Sequence, residues 1–287
     1  MPLASSPIGV FDSGVGGLSV LRALLAAMPN ERFIYLADSG NAPYGERGDA
    51  FVTHRTHAIT DYLQAQFQIK ALVVACNTAT AAAIHEVRAR HPALPLIGVE
   101  PALKPAVALS QTKHIGVLAT RGTLASGKFA KLHSSLESQA EFVVQPCDGL
   151  AHAIERSVAW PEGPSHPGTE TYALCERYLK AMNGRFGREP GSIDTLVLGC
   201  THYVFVKEAL AQLAGPNVHI IETGDPVARH TRHLLETAHL QAPRTATERS
   251  PGDRVQLLTT GPLALLKSAA ARWLQLPAEC CQAIELP

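Results

Sequence analysis

Aromatic residues are scarce in this chain: Phe, Trp and Tyr make up 6% of its 287 residues. That thins the stacking surface on which a single-strand nucleic-acid binder depends. Charge is also low, at 17%, against about 25% in an average globular domain. Neither sign dominates, because 25 Lys and Arg balance 25 Asp and Glu. No net positive field gathers nucleic acid or anionic lipid, and no Arg/Lys run builds a local one. No apolar run reaches the roughly 18 residues needed to cross a membrane. The opening residues lack the basic start and long apolar stretch of a secretory signal. The cysteines, at 76, 147, 175, 200, 280 and 281, form no Cys-x-x-Cys pair and are too few for a disulfide scaffold in a chain of this length. These absences lead to the expectation of a soluble cytoplasmic protein with free thiols, and with neither nucleic acid nor membrane as a partner.

Apolar residues make up 46% of the chain, enough to bury a sizeable core, and the length suits about two domains. Short apolar runs alternate with helical patterns. Strands are predicted at Ile8–Phe11, Phe33–Ala37, Ala71–Ala75 and Leu96–Val99. Helices fall between them at Leu18–Ala27, Phe51–Gln66 and Thr78–Ala89, and Asp38–Gly48 is a loop rich in Gly, Pro and Asn. The pattern then restarts. Strands are predicted at Ile115–Leu118, Glu141–Val144, Thr195–Leu198, Val218–Ile221 and Val255–Thr259. Helical patterns cover Thr123–Leu136, Leu150–Trp160, Glu170–Met182, Phe205–Leu213, Pro226–Ala238 and Leu263–Leu274. Pro161–Gly168 and Gln241–Gly252 read as exposed connections, and Lys128 as a solvated helix residue. Repeated strand–turn–helix units argue for mainly parallel sheets with helices on both faces.

The chain also echoes itself. Residues 69–78, Ile-Lys-Ala-Leu-Val-Val-Ala-Cys-Asn-Thr, match 193–202, Ile-Asp-Thr-Leu-Val-Leu-Gly-Cys-Thr-His. Ile8-Gly-Val-Phe-Asp-Ser13 likewise matches Ile115-Gly-Val-Leu-Ala-Thr120. An imperfect duplication of an α/β domain accounts for both pairs. Ligands of open parallel sheets sit beyond the carboxyl ends of the strands, where Asp12, Cys76 and Cys200 all fall. Two thiols approaching one cleft from opposite sides could take a proton from one face of a carbon and return another to the opposite face. Asn77-Thr78 and Thr201-His202 are fit to cap helices beside those thiols. The competing reading makes each cysteine a buried structural thiol, and Cys147, Cys175, Cys280 and Cys281 are read that way. The spacing of Cys76, Cys200 and His202 is wrong for a structural zinc site. The turn Asp12-Ser-Gly-Val-Gly-Gly17 exposes backbone amides but is no dinucleotide fingerprint. Gly122–Lys128 nearly spells a phosphate loop, but Phe129 stands where Ser or Thr should reach magnesium.

Several stretches together carry a specific resemblance. They are Ile8–Gly17, Ala37-Asp-Ser-Gly-Asn-Ala-Pro-Tyr-Gly45, Ala75-Cys-Asn-Thr-Ala79, Gly98-Val-Glu-Pro-Ala102, Gly116–Thr120, Leu198-Gly-Cys-Thr-His-Tyr203 and Leu258-Thr-Thr-Gly261. In this order they resemble the glutamate racemase family, among the cofactor-independent aspartate/glutamate racemases. The resemblance implies an α/β fold of two pseudosymmetric, open, mainly parallel-sheet domains facing a central active-site cleft. Its first domain would comprise 1–99 plus 216–287, and its second 100–215. It implies interconversion of L- and D-glutamate, supplying D-glutamate for peptidoglycan, with no pyridoxal phosphate, metal or nucleotide. A homodimer is the implied assembly.

By that resemblance Cys76 and Cys200 are the two acid/base thiols, the first acting on D-glutamate and the second on the L enantiomer. Asp12 and His202 assist them, and Glu155 is a further assisting carboxylate. Asp12, Ser13, Pro43, Tyr44, Gly45, Asn77, Thr78, Thr120, Thr201 and His202 fall on positions that hold the substrate. The residues themselves leave other roles open: Asp12 binding turn amides, His202 capping a helix, Tyr44 anchoring a loop. The chain departs from the family at Asp148 and Val204, where proline is usual, and around Glu162–Gly168. Alternatives are a racemase for aspartate or another acidic amino acid, a decarboxylase, which needs only one cysteine, and a binding protein, which needs none.

Overall fold

The computed structural model describes residues 3–182, 185–243 and 250–286. The chain divides into two compact units, Met1–Val99 with Gly224–Pro287, and Glu100–Thr223. The chain leaves the second unit later than the 215/216 boundary expected from the sequence. The reason is a short strand, His219–Ile221, which hydrogen-bonds to the second unit's own sheet.

The first unit runs β1 (Ile8–Asp12), α1 (Leu18–Ala27), β2 (Phe33–Ala37), α2 (Asp49–Phe67), β3 (Ala71–Val74), α3 (Asn77–Arg90) and β4 (Leu96–Gly98). The second follows with α4 (Leu103–Leu109), β5 (His114–Ala119), α5 (Arg121–Ala125), α6 (Gly127–Ser134), β6 (Glu141–Pro146), α7 (Leu150–Arg156), α8 (Glu170–Ala181), β7 (Thr195–Gly199), α9 (Lys207–Ala214) and β8 (His219–Ile221). The chain returns to the first unit as α10 (Gly224–Thr237), α11 (Pro251–Arg254), β9 (Val255–Thr259), α12 (Leu263–Ala269) and β10 (Cys281–Ala283).

One sheet is ordered β10-β9-β2-β1-β3-β4 and the other β6-β5-β7-β8, and every pairing is parallel. The run β2-β1-β3-β4 and the run β6-β5-β7-β8 share one order: second strand, first, third, fourth. The echoed segments are thus the central strands of two like sheets, β1 with β5 and β3 with β7. The first sheet is then extended by β9 and β10 from the C-terminal part of the chain.

Every residue of β1, β2, β3 and β7 is buried, as expected for parallel strands covered on both faces. In the first unit Phe11, Leu36, Leu72 and Val74 pack under Val52, Ile59 and Leu63 of α2 and Ala83, Ile84 and Val87 of α3. In the second, Ile115, Val117 and Val197 pack against Leu103, Ala106 and Val107 of α4 and Phe129 of α6. Two buried charged groups are well partnered. Lys70 Nζ meets Glu31 at 2.5 Å and donates to the Ala4 carbonyl at 2.6 Å. Asp194, just before β7, accepts from the Ser110 hydroxyl at 2.6 Å and from the Gln111 and Thr112 amides at 2.7 and 2.9 Å. Burial opposes ionisation of Asp194, but these donors and Thr195 outweigh it and hold its carboxyl below the ordinary value.

Several elements differ from expectation. The helix expected over 123–136 is two, because Ser126 takes an extended conformation and its hydroxyl caps α6 through the Phe129 amide. The helix expected from Phe205 begins at Lys207, after a 3-10 segment Thr201–Val206. The pattern over 150–160 ends as α7 at Arg156 and continues as a 3-10 turn, Ser157–Ala159. Neither α4 nor β10 was anticipated. Gly163 and Pro164 of the expected surface loop are buried, since the Pro164 carbonyl accepts from the buried Thr171 hydroxyl. Lys128 is ion-paired to Glu100 at 2.8 Å rather than simply solvated. Of the connection expected over 241–252, residues 244–249 lie outside the described residues, and its end is α11. Among the described residues no helix is long and apolar enough to cross a membrane.

Candidate active site

In the order β2-β1-β3 the chain leaves β1 toward one side and comes back on the other. Their carboxyl ends therefore flank a topological switch point, where open α/β sheets bind ligands. Two segments reach it, the Asp12–Gly17 turn after β1 and Ala75-Cys76 after β3. The Asp12 carboxylate accepts from the Ser13 amide at 2.7 Å and from the Gly17 amide. The turn closes this tightly because residue 17 lacks a side chain: a Cβ there would lie 2.7 Å from Asp12 Cβ and 3.0 Å from the Tyr35 hydroxyl.

Cys76 is buried and is itself the N-cap of α3, its sulfur accepting the Ala79 amide at 3.4 Å. The cap is thus the thiol and not Asn77 or Thr78. A contact of this kind strengthens when the sulfur carries negative charge. The thiol donates to Ser13 Oγ at 3.7 Å, and Ser13 Oγ donates to Asp12 Oδ1 at 3.3 Å. A chain of proton-bearing atoms therefore runs from sulfur through hydroxyl to buried carboxylate. Asn77 is buried beside it with neither amide atom hydrogen-bonded. Such a group costs about 1–3 kcal/mol until it finds a partner. Thr78 is also buried here.

The second unit repeats the design. The carboxyl ends of β5 and β7 carry Thr120 and Cys200. The Cys200 sulfur lies 3.8 Å from His202 Nδ1, and His202 Nε2 lies 3.2 Å from Glu155 Oε2. All three side chains are buried, as is Thr201. Burial disfavours an imidazolium, but hydrogen bonds and charge from Cys200 and Glu155 outweigh it and hold the His202 pKa well above 6.5. Here too a thiol connects through one group to a buried carboxylate. Thr120 caps α5, its hydroxyl accepting the Thr123 amide at 3.2 Å and donating to Thr123 Oγ1 at 2.9 Å.

Pro43, Tyr44 and Gly45 lie on the loop after β2. Tyr44 is buried and its hydroxyl donates to Asp38 Oδ2 at 2.6 Å. Burial first, then the Asp38 carboxylate, pushes the phenol pKa far up, so it stays a neutral donor. Asp38 itself, with Arg55 and Thr260, was not foreseen as part of a site. Asp38 and Thr260 stood inside stretches already singled out, but a lone Arg in the middle of a helix gives no signal of its own.

The other cysteines stand outside these two chains. Burial pushes Cys175 up to about 12 and Cys281 to about 11, and Cys147 higher still. These thiols stay protonated at neutral pH. All six cysteines are unbridged, and among the described residues no three His, Cys, Asp or Glu side chains group as a metal site.

Two parallel α/β units with thiol-to-carboxylate chains at like positions define a class of enzyme built for proton transfer. The sequence profile of the Asp/Glu/Hydantoin racemase family matches residues 8–232. The chain belongs to this family. A glutamate racemase of Ralstonia nicotianae is 48% identical over 239 residues, covering 83% of this chain and 81% of that protein. The crystal structure of a glutamate racemase isoform of Bacillus anthracis superposes with a TM-score of 0.80 at 29% identity, covering 98% of each chain. The glutamate racemase of Francisella tularensis subsp. tularensis, solved with D-glutamate, gives 0.79 at 27% identity, covering 99% of this chain and 98% of that one.

Proposed function

We propose that this chain interconverts L- and D-glutamate without an organic cofactor, the D enantiomer serving peptidoglycan synthesis, with Cys76 and Cys200 as its acid/base pair. The observation that carries the assignment is their equivalence. Each follows the third strand of a like-ordered sheet, and each is connected to a buried carboxylate, Asp12 through Ser13 or Glu155 through His202. Racemisation breaks the α-carbon–hydrogen bond on one face and forms it on the other. One thiolate takes the proton and the opposite thiol gives one, so the enzyme ends with its protons exchanged and nothing is oxidised. The α-carbon is a weak acid, and negative charge spreads onto the α-carboxylate as the proton leaves. Donors fixed near that carboxylate lower the barrier. Ser13, Asn77, Thr78, Thr120 and Thr201, with the Pro43–Gly45 loop, supply such donors, and the unpaired Asn77 amide favours a polar ligand beside Cys76. A cytoplasmic location and a homodimer follow from the resemblance, and light scattering checks the second.

The test is proton NMR in deuterated water with no added cofactor and L- or D-glutamate in separate tubes. The α-proton signal should fade from both, and a chiral column should show the opposite enantiomer growing. Cys76→Ser and Cys200→Ser should each lower racemisation by about 10²–10⁴. Exchange of aspartate alone would overturn the glutamate assignment and keep the mechanism. No exchange of any acidic amino acid by the reduced enzyme would overturn both.

A further inference from the structure

Asp38 directly follows β2, one strand away from Asp12, and its amide donates to the Asp12 carbonyl at 2.9 Å. Its carboxylate is completely buried. Five donor atoms from four residues converge on it. Arg55 of α2 binds with two nitrogens, Nε at 3.0 Å and Nη2 at 2.9 Å. Tyr44 and Asn41 donate from the loop at 2.6 and 3.1 Å. Thr260, just past β9, donates at 2.7 Å. The same Thr260 hydroxyl accepts the Gly40 amide at 3.1 Å. Backbones touch at this point: a Cβ on Gly261 would lie 2.9 Å from the Gly40 amide nitrogen, and a Cβ on Gly40 2.6 Å from the Thr260 carbonyl oxygen.

The loop these groups hold has little to stiffen it internally. Between β2 and α2 it makes two 3-10 turns, Ser39–Asn41 and Tyr44–Glu46. Within it, the Asn41 and Arg47 amides close one backbone bond each, at 2.9 and 3.0 Å. Its shape therefore depends on side chains, some packed on Phe51 as Tyr44 and Arg47 are, and the polar ones meeting at Asp38. Charge matters as much as shape. Glutamate at neutral pH carries two carboxylates and one ammonium, and so is a net anion. A bare carboxylate one strand from Asp12 would repel it, and the low-dielectric surroundings would strengthen the repulsion. The bidentate Arg55 cancels that charge and satisfies the carboxylate in the fork geometry that only arginine provides.

We propose that Asp38 and Arg55, locked by Thr260, form a neutral buried hub that positions the Tyr44 loop and sets the affinity for the anionic substrate. They are positioning residues that act through the loop. The hub also gives the Leu258-Thr-Thr-Gly261 stretch a task, and leaves the Tyr44 hydroxyl committed to Asp38, so that the loop offers substrate its backbone amides. The inference rests on the glutamate racemase reading, and wild-type α-proton exchange checks that reading separately.

Steady-state kinetics in both directions test the hub with Arg55→Met, Arg55→Lys, Thr260→Val and the double variant Asp38→Asn/Arg55→Met. Arg55→Met should raise KM about tenfold for both enantiomers while kcat changes less than about threefold, the pattern of lost ground-state binding. Arg55→Lys keeps the charge but loses the fork, and should fall between Arg55→Met and wild type. The double variant removes the stranded carboxylate and should recover at least about threefold of the KM loss. Thr260→Val removes one hydroxyl, so it should fold normally and still raise KM about threefold. Amide exchange over 39–48 should quicken in Arg55→Met and Thr260→Val while β1 stays protected.

Unchanged KM in both Arg55→Met and Thr260→Val would overturn the inference. So would a double variant no better than Arg55→Met, or a loss falling on kcat alone. If Arg55→Met fails to fold, Thr260→Val decides through KM and loop exchange. A wild-type enzyme inert toward glutamate would sink the racemase reading, and loop exchange in the variants would still decide whether the hub holds the loop.

Discussion

His202 lies between a thiol at 3.8 Å and a carboxylate at 3.2 Å, and against the effect of burial both favour its protonated form. Its folded pKa is raised above the free value. The stability it contributes is therefore fully present below about pH 6.5, the free histidine value, and is lost as pH rises through the folded pKa. Glu155→Gln removes one of the two groups that raise it. Imidazole proton NMR titration should place the His202 midpoint of this variant below that of wild type. The melting temperature of wild type should fall on the alkaline side, and that of the variant should already be lower at neutral pH. Racemisation should drop by roughly tenfold, less than the 10²–10⁴ expected for a group that transfers the proton itself. An unchanged midpoint would mean that the pair is a packing contact with no part in the proton chain.

The β1–α1 turn shows what an element asks of a single position. Gly17 lies where a Cβ would press on Asp12 Cβ at 2.7 Å and Ala75 Cβ at 3.2 Å. Neither neighbour is the movable end of a long side chain. Gly17→Ala should therefore destabilise the protein by about 1–3 kcal/mol and pull the Asp12 carboxylate off the turn amides. Urea unfolding should show the first loss, and slower α-proton exchange from D-glutamate the second, that being the enantiomer assigned to Cys76. The parallel strands were legible because their apolar runs are short, unbroken and punctuated by Gly or Asp. The two thiols were legible because 69–78 and 193–202 echo each other. What escaped was decided by side chains reaching back to the backbone. Ser126 splits a periodic helix by capping its second half, and Cys76 takes the capping role expected of Asn77 and Thr78. Short elements such as α4 and β10 carry too few residues for a period to show. Arg55 reads as one more polar residue of α2 until the fold brings it to Asp38.

At the scale of the whole chain, the shared strand order leaves one asymmetry. The sheet of the second unit is built from a continuous stretch, whereas β9 enters the first unit's sheet from the far end of the sequence and pairs along all five residues of β2. Thr260 then ties that strand to Asp38, and Arg254 donates to the carbonyls of Met28 and Glu31 beneath it. The first unit therefore cannot close until the C-terminal strands are present, since without β9 the inner strand β2 would present a bare hydrogen-bonding edge. The second unit has no such dependence. A chain ending after Arg254 should accordingly lose protection of the β1, β2 and β3 amides in hydrogen exchange, while β5 and β7 keep theirs. Racemisation should vanish with the first set. Retained protection in β1–β3 would mean that four parallel strands under α2 and α3 suffice, and that β9 and β10 only extend a unit already formed. Loss in both sets would mean that the two units unfold as one cooperative body in spite of their separate sheets.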